Sequence, residues 1–412
     1  MTTTAPKVLI IGGGISGLAL AQGCKKHGIN FHVYERDVAH NHRTQGYRIR
    51  VSREGNDALQ YLLSGELHTL LEASSADMRL GPILEIDAIT AEVAEVKFGK
   101  GSGPPPVTAD SKPRTIDRTV LRHLLLRGLD EHITFGKTLD HYETSITGVV
   151  AHFADGTNAQ GSLLVGADGS KSVVRRQLLP QEALLDTDGR CLYGKTLLTQ
   201  DLINELEPAA LLRMSNIKDR TRPNLLAMVL EPITFPNRTE MARLDIPCPP
   251  DYLYWVLAGH PRIYNLPEDV TQTPKLSYDD CAELALKVTE QWHPKLSPII
   301  KRQLPGETSL LPLLSVSPRI PTWDANEKVT VIGDAIHVMS PAAGSGAVTA
   351  LRDAHHLCRL LTENGDTLAA ICTYEALMRE YAGQVIELSL QAGSKLFQQT
   401  PFDQCKTVPS TW

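Results

Sequence analysis

Three consecutive glycines, Gly12, Gly13 and Gly14, with a fourth at Gly17, come directly after the apolar run Val8–Ile11. A short run rich in β-branched residues fits a strand buried on both faces of a parallel sheet. GGGISG then fits GxGxxG, and each glycine has its own steric task. Gly12 permits the tight turn, Gly14 lets backbone approach a pyrophosphate, and Gly17 lets the next helix lie close to the sheet. Residues 18–26 read as that helix, whose N-terminus offers free N–H groups and a positive dipole end to phosphate. A second strand over residues 30–34 ends at Glu35, 18 positions past Gly17. A carboxylate there accepts hydrogen bonds from a ribose diol and disfavours a 2′-phosphate, so the cradle suits FAD or NAD better than NADP. Arg36, beside it, joins the candidate cofactor residues.

The remaining chain must complete this site, and its 412 residues are enough for two lobes, since single cores stop growing near about 250–300 residues. A net charge of -6 without a basic block leaves no electrostatic footprint for nucleic acid. The seven cysteines are scattered without a CxxC pair, which suits a reducing compartment. The fourteen histidines show no paired metal spacing: His40 and His42 lie in a polar stretch, and His355 and His356 are neighbours that point apart on a helix. No metal site is expected. The glycines interrupt the apolar stretch of residues 8–21 that would otherwise pass for a signal-peptide core, and no apolar run reaches membrane-spanning length. The expected location is cytoplasmic.

Two later segments decide between FAD and NAD. Residues 163–170, LLVGADGS, are a strand running into an Asp-Gly turn at Asp168, followed by a helix at KSVVRR. Residues 328–337, KVTVIGDAIH, are another strand, ending in Gly-Asp at Asp334. A glycine-rich loop, PAAGSGAV, then opens a helix; such a loop presents N–H groups to an electron-rich edge, and the acid before it can bind sugar hydroxyls. Signatures this far apart in sequence are natural for an extended FAD and unusual for a one-domain NAD enzyme.

With GGGISG and Glu35, GYRIRV, DRTVLR, GADGSKSVVRR and GDAIHVMSPAAGSGAVTALRDA in place, the chain resembles the aromatic-hydroxylase class (group A) of single-component flavin monooxygenases, the class of para-hydroxybenzoate hydroxylase. Its texture is nearest to members from fungal secondary-metabolite pathways, and the likeness spans roughly residues 7–380. The resemblance implies non-covalent FAD, with Glu35 on the adenosine ribose, Arg118 at the phosphate or ribityl region and Asp334 on the ribityl chain. Gly346 and Ala347 would give backbone contacts at the pyrimidine edge, and Asp168 would order its turn. Arg48 or Arg50 would lie near the cofactor, according to which one faces inward. Arg122 reads as part of an exposed basic helix face. Val348 departs from the class, which usually carries Asn at that place.

The expected fold is α/β: a Rossmann-like FAD-binding domain interleaved with an antiparallel-sheet substrate domain, plus C-terminal helices. The FAD-binding domain takes residues 1–80, 107–180 and 316–365, the substrate domain 81–106 and 181–315, and a helical segment 366–412. Residues 99–106 form a Gly/Pro-rich loop, residues 142–157 a hairpin turning at Asp155-Gly156, and residues 278–292 a helix. Tyr193 and Lys195 share one strand face, which makes them pocket candidates, although a core Tyr with a snorkelling Lys also fits.

In this class NADPH or NADH reduces the flavin, O2 gives a C4a-hydroperoxide, and one oxygen passes to a small hydrophobic aromatic, indolic or isoprenoid substrate by hydroxylation or epoxidation. The protein's task is positioning and desolvation. Baeyer–Villiger oxygenation, a flavin oxidase, and an FAD-containing non-redox cyclase or scaffold are the alternatives.

Overall fold

The computed structural model describes residues 7–39, 48–79, 81–95 and 113–409. His40, His42, the first two residues of GYRIRV and the loop expected at 99–106 lie outside that set.

Strand β1 (Val8–Ile11) is the centre of a parallel sheet. On one side lies β2 (Phe31–Tyr34) and beyond it β7 (Ile133–Thr134); on the other lies β11 (Leu163–Gly166) and then β17 (Val329–Val331). All four strands of β1, β2, β11 and β17 are almost wholly buried, which is why their sequences are apolar without alternation. Register pairs Ile11 with Tyr34 and with Gly166, and Gly166 with Val331, so the carboxyl ends are level. GGGISG, Glu35, GADG and GDA therefore emerge together at one end of the sheet, the usual ligand edge of an open parallel sheet.

Helix α1 (Ile15–Lys26) covers this sheet, begins earlier than residue 18 and is buried through Cys24. A short ribbon pairs β3 (Arg48–Val51) with β6 (Arg114–Asp117). It feeds α2 (Arg53–Leu62) at one end and α3 (Arg118–Leu126) at the other. The single hairpin expected over 142–157 is a three-stranded meander of β8 (Leu139–Ser145), β9 (Gly148–Phe153) and β10 (Asn158–Gly161). An additional turn after Ser145 makes the first connection, and Asp155-Gly156 makes the second.

The second lobe is an eight-stranded sheet, seven of whose strands run in the order β16 (Ser309–Ser315), β12 (Leu184–Leu197), β15 (Tyr252–Gly259), β14 (Leu226–Ile233), β13 (Ser215–Asp219), β4 (Leu84–Asp87), β5 (Val93–Glu95), the eighth pairing with β12 off this path. Its pairs are antiparallel, as expected, except for β4 with β13, which run parallel. Every residue of β15 is buried, and its period of two assigns them to two cores. Tyr252, Tyr254, Val256 and Ala258 face the core shared with the dinucleotide lobe. Leu253, Trp255 and Leu257 face a second core under α5 (Tyr278–Val288), which stops short of residue 292. A Cβ on Gly194 would stand 2.0 Å from the Trp255 ring, so that glycine is what lets Trp255 lie flat across β12.

Two C-terminal helices, α6 (Gly346–Glu363) and α7 (Thr367–Phe397), pack on the dinucleotide lobe. The chain then differs from an all-helical ending: β18 (Lys406–Val408) pairs with β12, crossing back to the large sheet. Among the described residues no helix is long and apolar enough to cross a membrane.

Candidate functional site: a cavity between the two lobes

A cavity of about 1940 Å³ runs from the glycine turn to the face of the large sheet. That is roughly twice the ~1,000 Å³ upper range for a drug-sized ligand, leaving space for an extended cofactor and a second molecule.

At one end the glycines of β1 separate by geometry. Gly12 has φ +114°, and a Cβ there would lie 2.2 Å from the Ala167 carbonyl oxygen. A Cβ on Gly17 would lie 2.0 Å from the Gly12 oxygen. Gly14 is different: its φ is an ordinary -77°, and nothing lies within 4 Å of the added carbon. The protein itself does not need a glycine at 14, and the open space over its backbone leaves room for a ligand to pack there. No side chain caps α1 and no acid stands in its first turn, so its N-terminal amides and dipole remain available to an anion.

Glu35 is buried, and its carboxylate is already engaged by the loop: Oε2 accepts from the Gly13 amide at 2.5 Å and Oε1 from Asp37 at 2.9 Å. Arg36 is exposed on the rim, and Arg118 on the cavity wall at the first turn of α3. Arg122 is not on an exposed helix face as expected. Its Nε donates to the Gly13 carbonyl at 3.2 Å, so it lines the cavity and holds the turn from the opposite side to Glu35. A partner 109 positions away in sequence gave no local signal.

Asp168 organises the second turn. One oxygen accepts from Ser172 Oγ at 2.5 Å, the other from the Val173 and Val174 amides at 2.7 and 3.3 Å, at the start of α4 (Val173–Leu178). Burial pushes its pKa up, against the hydrogen bonds that favour the anion. Arg175, unassigned in the sequence, spans two motifs: it donates to the Ser170 carbonyl at 3.0 Å and to the Ala335 carbonyl at 3.2 Å.

The Gly-Asp turn is set from below. Asp353 of α6 accepts the Gly333 amide at 2.6 Å, shares a 2.6 Å hydrogen bond with His337 Nε2, and accepts the Tyr381 hydroxyl at 2.5 Å. With its backbone thus fixed, Asp334 is exposed towards the cavity. Gly344 turns the loop with φ +64°, and α6 starts at Gly346 without a side-chain cap, leaving the Gly346 and Ala347 amides facing the same space. Val348 is buried, and its methyls would be 3.3 Å from a Cβ on Gly55, so the residue that replaces the usual Asn packs α6 on α2.

At the other end, the cavity meets β12–β15 with Tyr193, Met214, Asn216, Val229 and Tyr254. Burial pushes the Tyr254 phenol pKa up, so the hydroxyl stays protonated at neutral pH. Arg48 and Arg50 both line the cavity, and the question of which one faces inward dissolves because residues two apart on a strand share a face. Both turn to Glu231 of β14, at 2.5 Å each, and the Arg48 guanidinium also lies over the Tyr254 ring at 5.1 Å. They clasp the substrate sheet across the lobe boundary. Lys195 is outside the cavity lining, unlike Tyr193. A buried ammonium needs a partner, and it takes Asp117 at 3.3 Å and the face of Tyr252 at 4.7 Å.

The donor set fits FAD: an anion cradle at α1, a carboxylate beside it, an exposed acid further along the cavity, and an uncapped helix start beyond it. Comparison with known proteins agrees. The family model of the FAD binding domain matches residues 315–389, and that of the NAD(P)-binding Rossmann-like domain matches residues 10–51. A dual O-methyltransferase/FAD-dependent monooxygenase of Phaeosphaeria nodorum is 34% identical over 96% of this chain and 46% of its own length. One from Cercospora beticola is 36% identical over 97% of this chain and 47% of its own. The chain thus spans about half the length of these relatives. A solved structure described as an FAD-containing monooxygenase, from Photorhabdus luminescens subsp. laumondii, superposes with a TM-score of 0.76 at 29% identity, covering 95% of this chain and 99% of the other.

Proposed function

We propose that the chain is an FAD-dependent monooxygenase of the aromatic-hydroxylase class, using NADPH or NADH and O2 to place one oxygen atom on a hydrophobic aromatic, indolic or isoprenoid intermediate of secondary metabolism. The observation that carries this reading is the continuity of the cavity: the same space is lined by Asp334, Ala347, Tyr193 and Tyr254. On it, residues 1–80, 107–180 and 316–365 hold the cofactor, 81–106 with 181–315 hold the substrate, and 366–412 close the cofactor lobe.

FAD, when bound, supplies the redox chemistry, passing reducing equivalents from nicotinamide to O2 and one oxygen atom to the substrate. The residues of the chain bind and orient. Gly14 and the α1 amides would hold the pyrophosphate, Arg118 the phosphate or ribityl region, Glu35 the ribose and Asp334 the ribityl chain, while the Gly346 and Ala347 amides would hold the flavin edge. The apolar sheet face, with Met214 and Val229, excludes water, and the Tyr254 hydroxyl donates a hydrogen bond to a substrate oxygen. The two relatives join a monooxygenase to an O-methyltransferase, and both activities suit oxygenated aromatic rings, which favours a phenolic substrate over an isoprenoid. All seven cysteines are free, which fits a reducing, cytoplasmic setting.

The test is a screen of aromatic, indolic and isoprenoid compounds with the FAD-loaded protein, NADPH or NADH and 18O2. One labelled oxygen in the product, with consumption of one nicotinamide, is expected. A product of unchanged redox state, or one oxidised without label, overturns the reading.

A further inference from the structure

Within the dinucleotide lobe, the meander carries a cluster that lies outside the cavity lining. His141 of β8 and His152 of β9 are register partners, and their rings are parallel within 10° at 4.5 Å between centroids. A register shift between Leu139 and His141 leaves Asp140 without a partner of its own across the pair. Such a bulge re-aims the side chains beside it. Here it brings the Asp140 carboxylate to 2.9 Å from His141 Nδ1, which fixes the proton on that nitrogen and leaves Nε2 as the lone-pair atom. Glu143, two residues on and so on the same face, reaches to 4.0 Å from His141 Nε2 and 3.6 Å from His152 Nε2. His152 Nε2 is shielded from solvent and has no hydrogen-bond partner. One ligand atom from each of the three side chains lies within 4.8 Å of the others.

We propose that His141, His152 and Glu143 form a zinc-binding site, with Asp140 as the outer carboxylate that orients His141. Two neutral imidazoles and one carboxylate are borderline donors that suit a late divalent metal and leave a fourth tetrahedral position for water. The carboxylate–histidine pairing of Asp140 and His141 is the outer-shell arrangement that sets tautomer and ring direction at zinc sites. Zinc–ligand bonds near 2.0–2.2 Å require the two parallel rings to turn so that their Nε2 lone pairs converge, with Glu143 rotating to meet them. The spacing of the histidines hid the cluster, since its members come from two strands and meet only through the register. The ion would clip β8 to β9 at the solvent face of the meander.

The FAD-loaded full chain, stripped of metals with a chelator, is titrated with zinc chloride near neutral pH by calorimetry. One zinc per chain in the micromolar range is expected, together with a rise in Tm. His141→Asn with His152→Asn should abolish binding while leaving the circular dichroism spectrum unchanged. Asp140→Asn should weaken it by about 10-fold or more, the usual effect of losing an outer-shell partner. Absence of saturable binding overturns the site. So does binding of unchanged affinity in the double histidine variant, which would put the zinc elsewhere, for example at the exposed Cys372 thiol.

Discussion

The carboxylate of Glu35 lies 2.5 Å from the amide nitrogen of Gly13, so the residue expected to meet a ribose is also a brace of the glycine turn. Its second oxygen takes the Asp37 amide. Replacing Glu35 with Ala should therefore lower apoprotein stability by about 1.5–3 kcal/mol, the range for hydrogen bonds to a charged group, as well as weaken FAD. Urea denaturation of the apoprotein beside an FAD titration checks this. A loss confined to FAD affinity would mean that the brace contributes nothing.

Two of the cradle glycines, Gly12 and Gly14, should respond differently to alanine. Gly12→Ala forces a Cβ to 2.2 Å from backbone at a positive φ, so the apoprotein itself should unfold at a lower temperature. Gly14→Ala meets no protein atom, so the apoprotein should keep its Tm while FAD affinity falls at least tenfold. Equal effects of the two substitutions on apoprotein Tm would contradict the geometry.

Asp334→Ala should separate cofactor binding from folding. The N-cap position of the helix after the Gly-rich loop is Ser345, which makes no side-chain cap, so Asp334 does not cap that helix, and Asp334 is exposed to the cavity. The expected result is unchanged apoprotein stability with lost stabilisation by added FAD, read as the shift of Tm with FAD concentration. Equal destabilisation of the apoprotein and the FAD-bound protein would make the residue structural.

The clasp of Arg48 and Arg50 on Glu231 predicts non-additivity. Arg48 and Glu231 are nearly buried, with side chains 11% and 6% exposed, so Glu231→Ala leaves a desolvated guanidinium and should cost about 3–5 kcal/mol. Adding Arg48→Met should recover part of that loss. A double-mutant cycle that sums to within about 0.5 kcal/mol would show that the pair is not coupled.

His337 supplies a pH dependence. Burial opposes its charge, but the Asp353 carboxylate at 2.6 Å outweighs it and lifts the imidazole pKa above the usual 6.5. A base held more tightly protonated in the folded state contributes stability that is complete below the unfolded value and is lost as the pH rises through the folded one. Denaturant midpoints should therefore fall as the pH rises above the ordinary imidazole range of about 6.5, and His337→Asn should flatten that fall. An identical pH profile in the variant would refute the assignment.

What could be read from the sequence was whatever is local. Gly12, Gly14 and Gly17 act within one turn, and Asp168 and its amide donors are within six residues of each other. The pieces that went unread are pairings across the chain. Arg122 looked like surface because its partner is Gly13, and Arg175 had no visible task until the second and third motifs stood side by side. Lys195 was placed on the right strand face, but its pairing with Asp117 depends on how two lobes meet. Glu231 did leave a trace: a lone acid in the otherwise apolar run Leu226–Ile233 calls for a buried cation.

The parallel pairing of β4 with β13 places a strand that precedes α3 inside the sheet that follows α4. β18, from beyond α7, returns to that sheet's other half. Anyone recombining such chains to exchange specificities therefore faces a topological constraint: a single crossover anywhere between residues 84 and 408 splits hydrogen-bonded partners between parents. Chimeras that keep both parental lobes intact need at least a matched pair of exchanges, with the short strands β4 and β18 travelling alongside the central strands they serve.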